Sequence, residues 1–220
     1  KEKLKRGTLA YQLYLYYHLF FRYRLFYKKK NYSQFDEDLF LLEFYKKKVD
    51  GKFVDLGAYH PMKYNNTYLL YKLGWRGINI DLNQTSIDMF NIVRKEDTNI
   101  CTLISDEAEN EKTIYFEHNF SAVSSLNFSE GLNKKMIMKT NKFDNIVKDK
   151  FDFLNIDLED HDYQVLKTID LNRYQPSLIC IEILEGSRNK ENIYDFMKKN
   201  KYRFLHKCHI SYFFKREEKI

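Results

Sequence analysis

The sequence predicts an α/β fold: a doubly wound, mostly parallel sheet of the Rossmann-like kind. Three observations predict it. Strand-like and helix-like segments alternate from Gly51 onward, which implies parallel strands joined by crossover helices. The last two strand-like segments have no helix between them, so the sheet is expected to close with an antiparallel hairpin. No internal repeat or low-complexity linker breaks the pattern.

The elements follow in order. "SQFDEDLFLLEFYKKK" (33–48) places Phe35, Leu39 and Leu42 at helical spacing, with Ser33 as the expected N-cap and three lysines at the favourable end of the helix dipole. "GKFVDLG" (51–57) reads as a strand, and "NNTYLLYKLG" (65–74) as a helix ended by Gly74. "WRGINIDLN" (75–83) is a strand. "TSIDMFNIVRK" (85–95) is a helix capped by Thr85 or Ser86. "TNICTLIS" (98–105) reads as one strand, and "KTIYFEHN" (112–119) as a second, hairpin-like one. "KFDFLNIDLED" (150–160) is a strand, "HDYQVLKTIDL" (161–171) a helix and "PSLICIEILEG" (176–186) a strand. "ENIYDFMKKN" (191–200) is a helix, and "KYRFLHKC" (201–208) and "ISYFFKR" (210–216) are the final strands.

The bulk numbers suit this reading. A chain of 220 residues, 44% hydrophobic and 31% charged, can bury one core and stay soluble. Cys101, Cys180 and Cys208 are far apart and form no CxxC pair, so neither a disulfide framework nor a zinc site is expected, and a reducing cytoplasm is. Cys101 and Cys180 lie in apolar runs and read as buried packing residues. Charge is uneven. Residues 1–30 hold nine Lys or Arg and one Glu, a balance of +8; the remainder holds 28 basic and 30 acidic side chains, a balance of −2. The globular part therefore has no electrostatic footprint for nucleic acid.

The basic head, residues 1–31, is set apart from a domain spanning 32–220. "GTLAYQLYLYYHLFF" (7–21) carries no Asp, Glu, Lys or Arg. It is shorter than the ~18–20 residues that span a bilayer, and no small-residue cleavage site follows it. It reads as a helix rich in interfacial aromatics. Two placements are open: against the domain or a second subunit in a homodimer, or peripherally on an anionic membrane, with Lys28–Lys30 adding attraction.

In an open parallel sheet, ligands bind outside the carboxyl ends of the strands. The first strand delivers Asp55, Gly57, Ala58, Tyr59 and His60 there. The second delivers Asp81, Leu82 and Asn83; the third, Ser105 and Asp106; the fourth, Asp157, Glu159 and His161; the fifth, Glu182 and Glu185. Gly57 is expected to let backbone N–H groups approach a ligand closely. Asp81 can accept both hydroxyls of a ribose, and Ser105 with Asp106 can meet an adenine edge. An adenosine-containing cofactor is the expectation. A pyrophosphate calls for a glycine-rich turn, and "GAYHPMKYNNTY" is bulky and contains a proline. An acid at Asp55 suits an ammonium or an ordering water. A methyl donor, S-adenosylmethionine, is favoured over a dinucleotide.

These residues resemble the FkbM family of S-adenosylmethionine-dependent methyltransferases. The resemblance runs from about Tyr32 to the C-terminus. It rests on "YSQFDEDLFL", "FVDLGAYHPMKYNNTYLLYKLGWRGINIDLN", "FLNIDLEDHDYQVLK" and "ICIEIL", in that order. It implies a class I methyltransferase fold and O-methylation of small molecules or sugars, commonly in polyketide or surface-glycan pathways. It also implies site roles: Asp55, Gly57, Ala58 and Tyr59 around the cofactor's methionine moiety, Asp81 and Leu82 at the ribose, Ser105 and Asp106 at the adenine, Gln34 on a lid. Asp157 and Glu159 match the segment beside the transferred methyl. The family's usual glycine after that glutamate is Asp160 here.

Methyl transfer to a hydroxyl needs the acceptor aligned and its proton removed. Glu159 is the first candidate base and His161 the second; Asp157 holds the cofactor's amino group or orients the base. His60 reads as a loop residue satisfied by backbone. Asp157, Glu159 and Glu182 are the acids that could converge on a divalent cation, but no metal is predicted. "EHNFSAVSSLNFSEG" (117–131) is either an acceptor-pocket insertion or a surface loop. The expected acceptor is a sugar or sugar nucleotide of a capsule or other surface polysaccharide, in the cytoplasm or at the inner face of the membrane. Two rivals stand beside this: an NAD-dependent oxidoreductase with a degenerate fingerprint, and a non-catalytic membrane-associated module.

Overall fold

The computed structural model describes residues 4–23, 31–46, 48–116, 124–125, 131, 134–158 and 161–217. Helix α1 (Leu9–Tyr16) runs into a π-helical turn, Tyr17–Phe21. Then come α2 (Glu37–Tyr45), β1 (Lys52–Leu56), α3 (Tyr68–Lys72), β2 (Arg76–Asp81), α4 (Gln84–Val93) and β3 (Thr98–Cys101). A small accessory sheet follows, from β4 (Leu103–Ile104), β5 (Glu111–Phe116), β6 (Ser124–Ser125) and β7 (Lys134–Asn141). The second half holds α5 (Phe143–Ile146), β8 (Phe153–Ile156), α6 (Asp162–Leu166), α7 (Leu171–Tyr174), β9 (Leu178–Glu182), α8 (Lys190–Lys199), β10 (Tyr202–Cys208) and β11 (Ser211–Arg216).

The main sheet has seven strands in the order β10-β11-β9-β8-β1-β2-β3. All its pairings are parallel except those of β11, which is antiparallel to both neighbours. The terminal hairpin is thus present, and its second strand inserts beside β9. The chain winds outward from β1 to β3, then returns to the other side of β1. The β1/β8 boundary is therefore the topological switch point, where open α/β sheets bind ligands.

The two faces of this sheet differ in chemistry. Val54, Leu56, Ile80, Leu154, Ile156, Ile179 and Ile181 pack with side chains of α5, α6, α7 and α8 in the largest core cluster. On the opposite face, Phe53, Phe153, Leu178, Cys180 and Phe213 pack with Leu41 and Tyr45 of α2, Leu70 of α3 and Trp75. Side chains alternate along a strand, so this second face also carries Asp55, Asn79, Asn99 and Asn155. Register sets Asn155 beside Asp55, Asp55 beside Asn79, and Asn79 beside Asn99. A polar row crosses the middle of the sheet.

Several local expectations are corrected. The N-cap position of α2 is Asp36, in a left-handed conformation; Ser33 instead accepts from the Asp38 N–H and donates to the Asp38 carboxylate. The cap of α4 is Asn83, whose side chain accepts from Thr85 N. "TNICTLIS" is two strands, because β3 pairs with β2 while β4 pairs with β7. Strands β6 and β7 and helices α5 and α7 lie where the sequence pattern predicts no element. Cys101 is half-buried, with its thiol 3.5 Å from Leu82 O, while Cys180 is buried; all three cysteines are free.

Candidate functional site

The site is assembled at the carboxyl ends of β1, β2 and β8. Gly57 decides its shape. It has a φ of +79°, and a Cβ there would overlap the backbone carbonyl of Asp157. Glycine is needed because two backbones meet, one from each side of the switch point. The sequence suggested clearance for a ligand; the structure uses the clearance for a neighbouring loop. Nor are the loop's N–H groups free. Gly57 N and Ala58 N both donate to Ile80 O, at 2.9 and 3.2 Å, and Tyr59 N donates to Asp81 Oδ2 at 2.8 Å. Tyr59 holds a left-handed φ of 53° to make that turn.

Asp81 closes the same arrangement from β2. Its Oδ1 accepts from Asn83 N at 2.6 Å and its Oδ2 from Tyr59 N. Each carboxylate oxygen keeps a second lone pair for a hydroxyl donor. Burial pushes its pKa up to about 6, opposed by those two backbone hydrogen bonds.

Asp55 departs from expectation. It is fully buried, and its carboxylate is engaged by protein: Oδ1 accepts from Asn155 Nδ2 at 2.8 Å, Oδ2 from Thr67 Oγ1 at 2.9 Å and Asn65 Nδ2 at 3.4 Å. Burial raises its pKa, and these hydrogen bonds and nearby Arg94 oppose the rise. Asp55 therefore positions the loop rather than presenting an open carboxylate to an ammonium. Arg94, also fully buried, donates to Asp97 at 2.8 Å, to Asn65 Oδ1 at 3.1 Å and to Thr67 Oγ1 at 3.0 Å. Asp97 in turn receives Gly77 N and Asn79 Nδ2. This network ties β1, β2 and β8 to the loop after β1. Composition did not reveal it, but one signal was available: "NID" occurs twice, at 79–81 and 155–157, each time with asparagine inside an apolar strand and aspartate at its end.

His60 lies buried in the loop, and its Nδ1 accepts from Met62 N at 3.1 Å and Lys63 N at 3.0 Å. Backbone satisfies Nδ1, as expected, while Nε2 is buried with no hydrogen-bond partner among the described residues. Burial lowers its pKa to about 3, so the ring is neutral.

Asp157, at the end of β8, is exposed, and the following turn is held by buried Asp162, which accepts from Leu158 N at 2.9 Å. His161 occupies the N-cap position of α6. Glu159, the first candidate base, and Asp160 lie outside the described residues, as does most of 117–131. Glu182 ends β9, its backbone paired with Ser211. Ser105 is buried and donates to exposed Asp106 at 2.8 Å; its N–H donates to Asn141 O. Gln34 is exposed on a strap that crosses the strand ends. Asn65 N donates to Tyr32 O at one end of it, while Phe35 stacks on His209 and Ser211 donates to Glu37 at the other. Among the described residues no group of three or more His, Cys, Asp or Glu is placed to hold a metal ion.

With this geometry in place, the comparisons are decisive for the family. The Methyltransferase FkbM domain matches residues 55–204, more than half of the chain. The chain belongs to the FkbM family of S-adenosylmethionine-dependent methyltransferases. No curated protein sequence matches it. Among solved structures it is similar to a TehB-like SAM-dependent methyltransferase from Corynebacterium glutamicum, at 12% identity and a TM-score of 0.51, over 94% of this chain and 98% of that one. It is also similar to a methyltransferase FkbM from Methylobacillus flagellatus, at 14% identity and a TM-score of 0.52, over 76% of this chain. The match spans 44% of that FkbM structure. These likenesses establish the class I methyltransferase fold for this member of the FkbM family.

Proposed function

We propose that this FkbM member methylates a hydroxyl of a sugar or sugar nucleotide in the building of a surface glycan. One observation carries the reading: the backbone contact of Gly57 with Asp157 sets an exposed acid against the loop that resembles the family's donor loop.

The residues present fit S-adenosylmethionine. It has ribose hydroxyls for the open lone pairs of Asp81 and no pyrophosphate to compete for loop N–H groups already engaged by Ile80 and Asp81. Gly57, Ala58 and Tyr59 would flank its amino-acid tail, with Gln34 on the strap above. Leu82 would lie by the ribose, and Ser105 with Asp106 by the adenine. When bound, this cofactor supplies a methyl group already activated on a sulfonium. The chain's own task is to align the acceptor oxygen and receive its proton. Glu159 takes that role in our reading, with His161 as the alternative. Asp157 orients the base or holds the cofactor's amino group.

The first test is a thermal shift with S-adenosylhomocysteine and with NAD⁺, on the chain and on Asp81→Ala. At ~100 times its dissociation constant a ligand adds ~2.7 kcal/mol, or roughly 5–10 °C for a domain this size. The expected result is a shift with the first ligand alone, lost in Asp81→Ala. A shift with NAD⁺ alone would overturn the donor assignment. Incubation with a panel of sugar nucleotides, read by mass, then tests the acceptor. Glu159→Gln is expected to slow transfer about 10²- to 10⁴-fold with donor affinity kept.

A further inference from the structure

The head of the chain shows two apolar faces, and the domain uses one of them. Tyr11, Leu15 and Leu19 are buried against Met62 and Met89. Arg6 pairs with Asp88 through two hydrogen bonds, and the Tyr11 hydroxyl donates to the same carboxylate. The helix is therefore anchored along α4, which accounts for one half of its surface.

The other half is equally apolar and faces outward. Leu9 is 71% exposed, Leu13 61%, Tyr16 48%, Tyr17 55%, Phe20 44% and Phe21 66%. Positions 9, 13, 16 and 20 are four, three and four residues apart, which places them in one stripe along the helix. Packing on the domain does not explain that stripe, since the docked residues 11, 15 and 19 occupy the opposite side.

We propose that this outer face docks on an anionic lipid surface. Charge selects the occupant. Residues 1–30 carry a balance of +8 while the remaining residues carry −2, so the stripe belongs to the strongly basic part of the sequence. Lys5 precedes the helix and Arg22 follows it, both exposed, while Arg6 is paired with Asp88. A second copy of the chain would bring two such heads together and meet repulsion; an anionic headgroup layer meets attraction. Tyr and Phe rings suit the depth where water gives way to acyl chain. The contact is peripheral: no helix among the described residues is long and apolar enough to cross a membrane.

The test is co-sedimentation of the full chain with phosphatidylcholine vesicles, with and without phosphatidylglycerol, at low and high salt. It is repeated on Leu13→Asp/Phe20→Asp, with size-exclusion chromatography in parallel. Both positions are exposed, so the variant is expected to keep its melting temperature. The expected result is binding to the anionic vesicles, released by salt, and weakened on the order of tenfold or more in the variant. Absence of binding by the unaltered chain overturns the proposal, and so does equal binding to both vesicle types. A dimer that the variant turns into a monomer, with vesicle binding unchanged, overturns it in favour of a second copy.

Discussion

The two faces of the main sheet do different work. The face under α5 to α8 is built from Val, Leu and Ile, which pack without direction. The face under α2 and α3 carries Asn155, Asp55, Asn79 and Asn99 in register, with buried Arg94 and Asp97 beside them. Asp81 continues that second face, as does Asp157 just past β8, two residues beyond Asn79 and Asn155. Both faces supply burial; the second also converts strand register into loop position. Hydrogen bonds have direction and a buried polar group must be satisfied, so only the second can hold the carboxyl-end loops in one conformation.

The contrast breaks most severely at Gly57. Gly57→Ala places a Cβ on the backbone carbonyl of Asp157 at a φ of +79°, and a backbone carbonyl has no rotamer by which to yield. Loss of S-adenosylhomocysteine binding, with a lower melting temperature, is expected in a thermal shift. Next is Arg94→Met. It leaves Asp97 buried without its ion-pair partner, which costs on the order of 3–5 kcal/mol by urea denaturation. A result under about 1 kcal/mol would remove the network from the account.

Acid sharpens the contrast at two points. His60 is neutral in the fold, with its pKa lowered to about 3, against about 6.5 when unfolded. The unfolded chain binds the extra proton between those values, so His60 makes stability fall as pH drops from about 6.5 towards 3 and leaves it unchanged above. His18, lowered to about 4, acts in the same sense. Asp81 has the opposite sign: its pKa is raised to about 6 from 3.8, so the native state holds its proton between them, and that contribution falls as pH rises through this window. Melting curves of the chain and of Asp81→Asn across pH 4–7 separate the two. Binding should follow Asp81 as well. Below pH ~6 the protonated carboxyl accepts fewer hydrogen bonds, and S-adenosylhomocysteine affinity is expected to fall by up to tenfold per unit, a slope absent from Asp81→Asn. The smallest effect belongs to the apolar face, where Ile156→Val should cost about 0.5–1.5 kcal/mol and leave ligand affinity unchanged.

Much of this architecture was legible because burial leaves a local trace. Alternating strands and helices, Gly74 as a stop and the closing hairpin all follow from short-range pattern. Strand β7 was not legible: "KKMIMKTN" leaves its lysine side chains exposed and pairs with β5 and β4 in the accessory sheet. The role of Asp55 was hidden for another reason. Its partners Asn65, Thr67 and Asn155 lie 10, 12 and 100 residues away, and no spacing rule connects the last of them. An acid beside a glycine looks the same in sequence whether it faces a ligand or holds the loop that does.

The contact of Gly57 with Asp157 also governs how this protein can be re-engineered. Backbone touching backbone offers no rotamer to repack, so the two loops form one inheritable part. A graft of the turn after β8 from a relative will seat only if residue 57 stays glycine and the grafted turn runs at the same height. Moved together, the pair can travel to another scaffold of this sheet order; moved singly, each half arrives with its neighbour in the way.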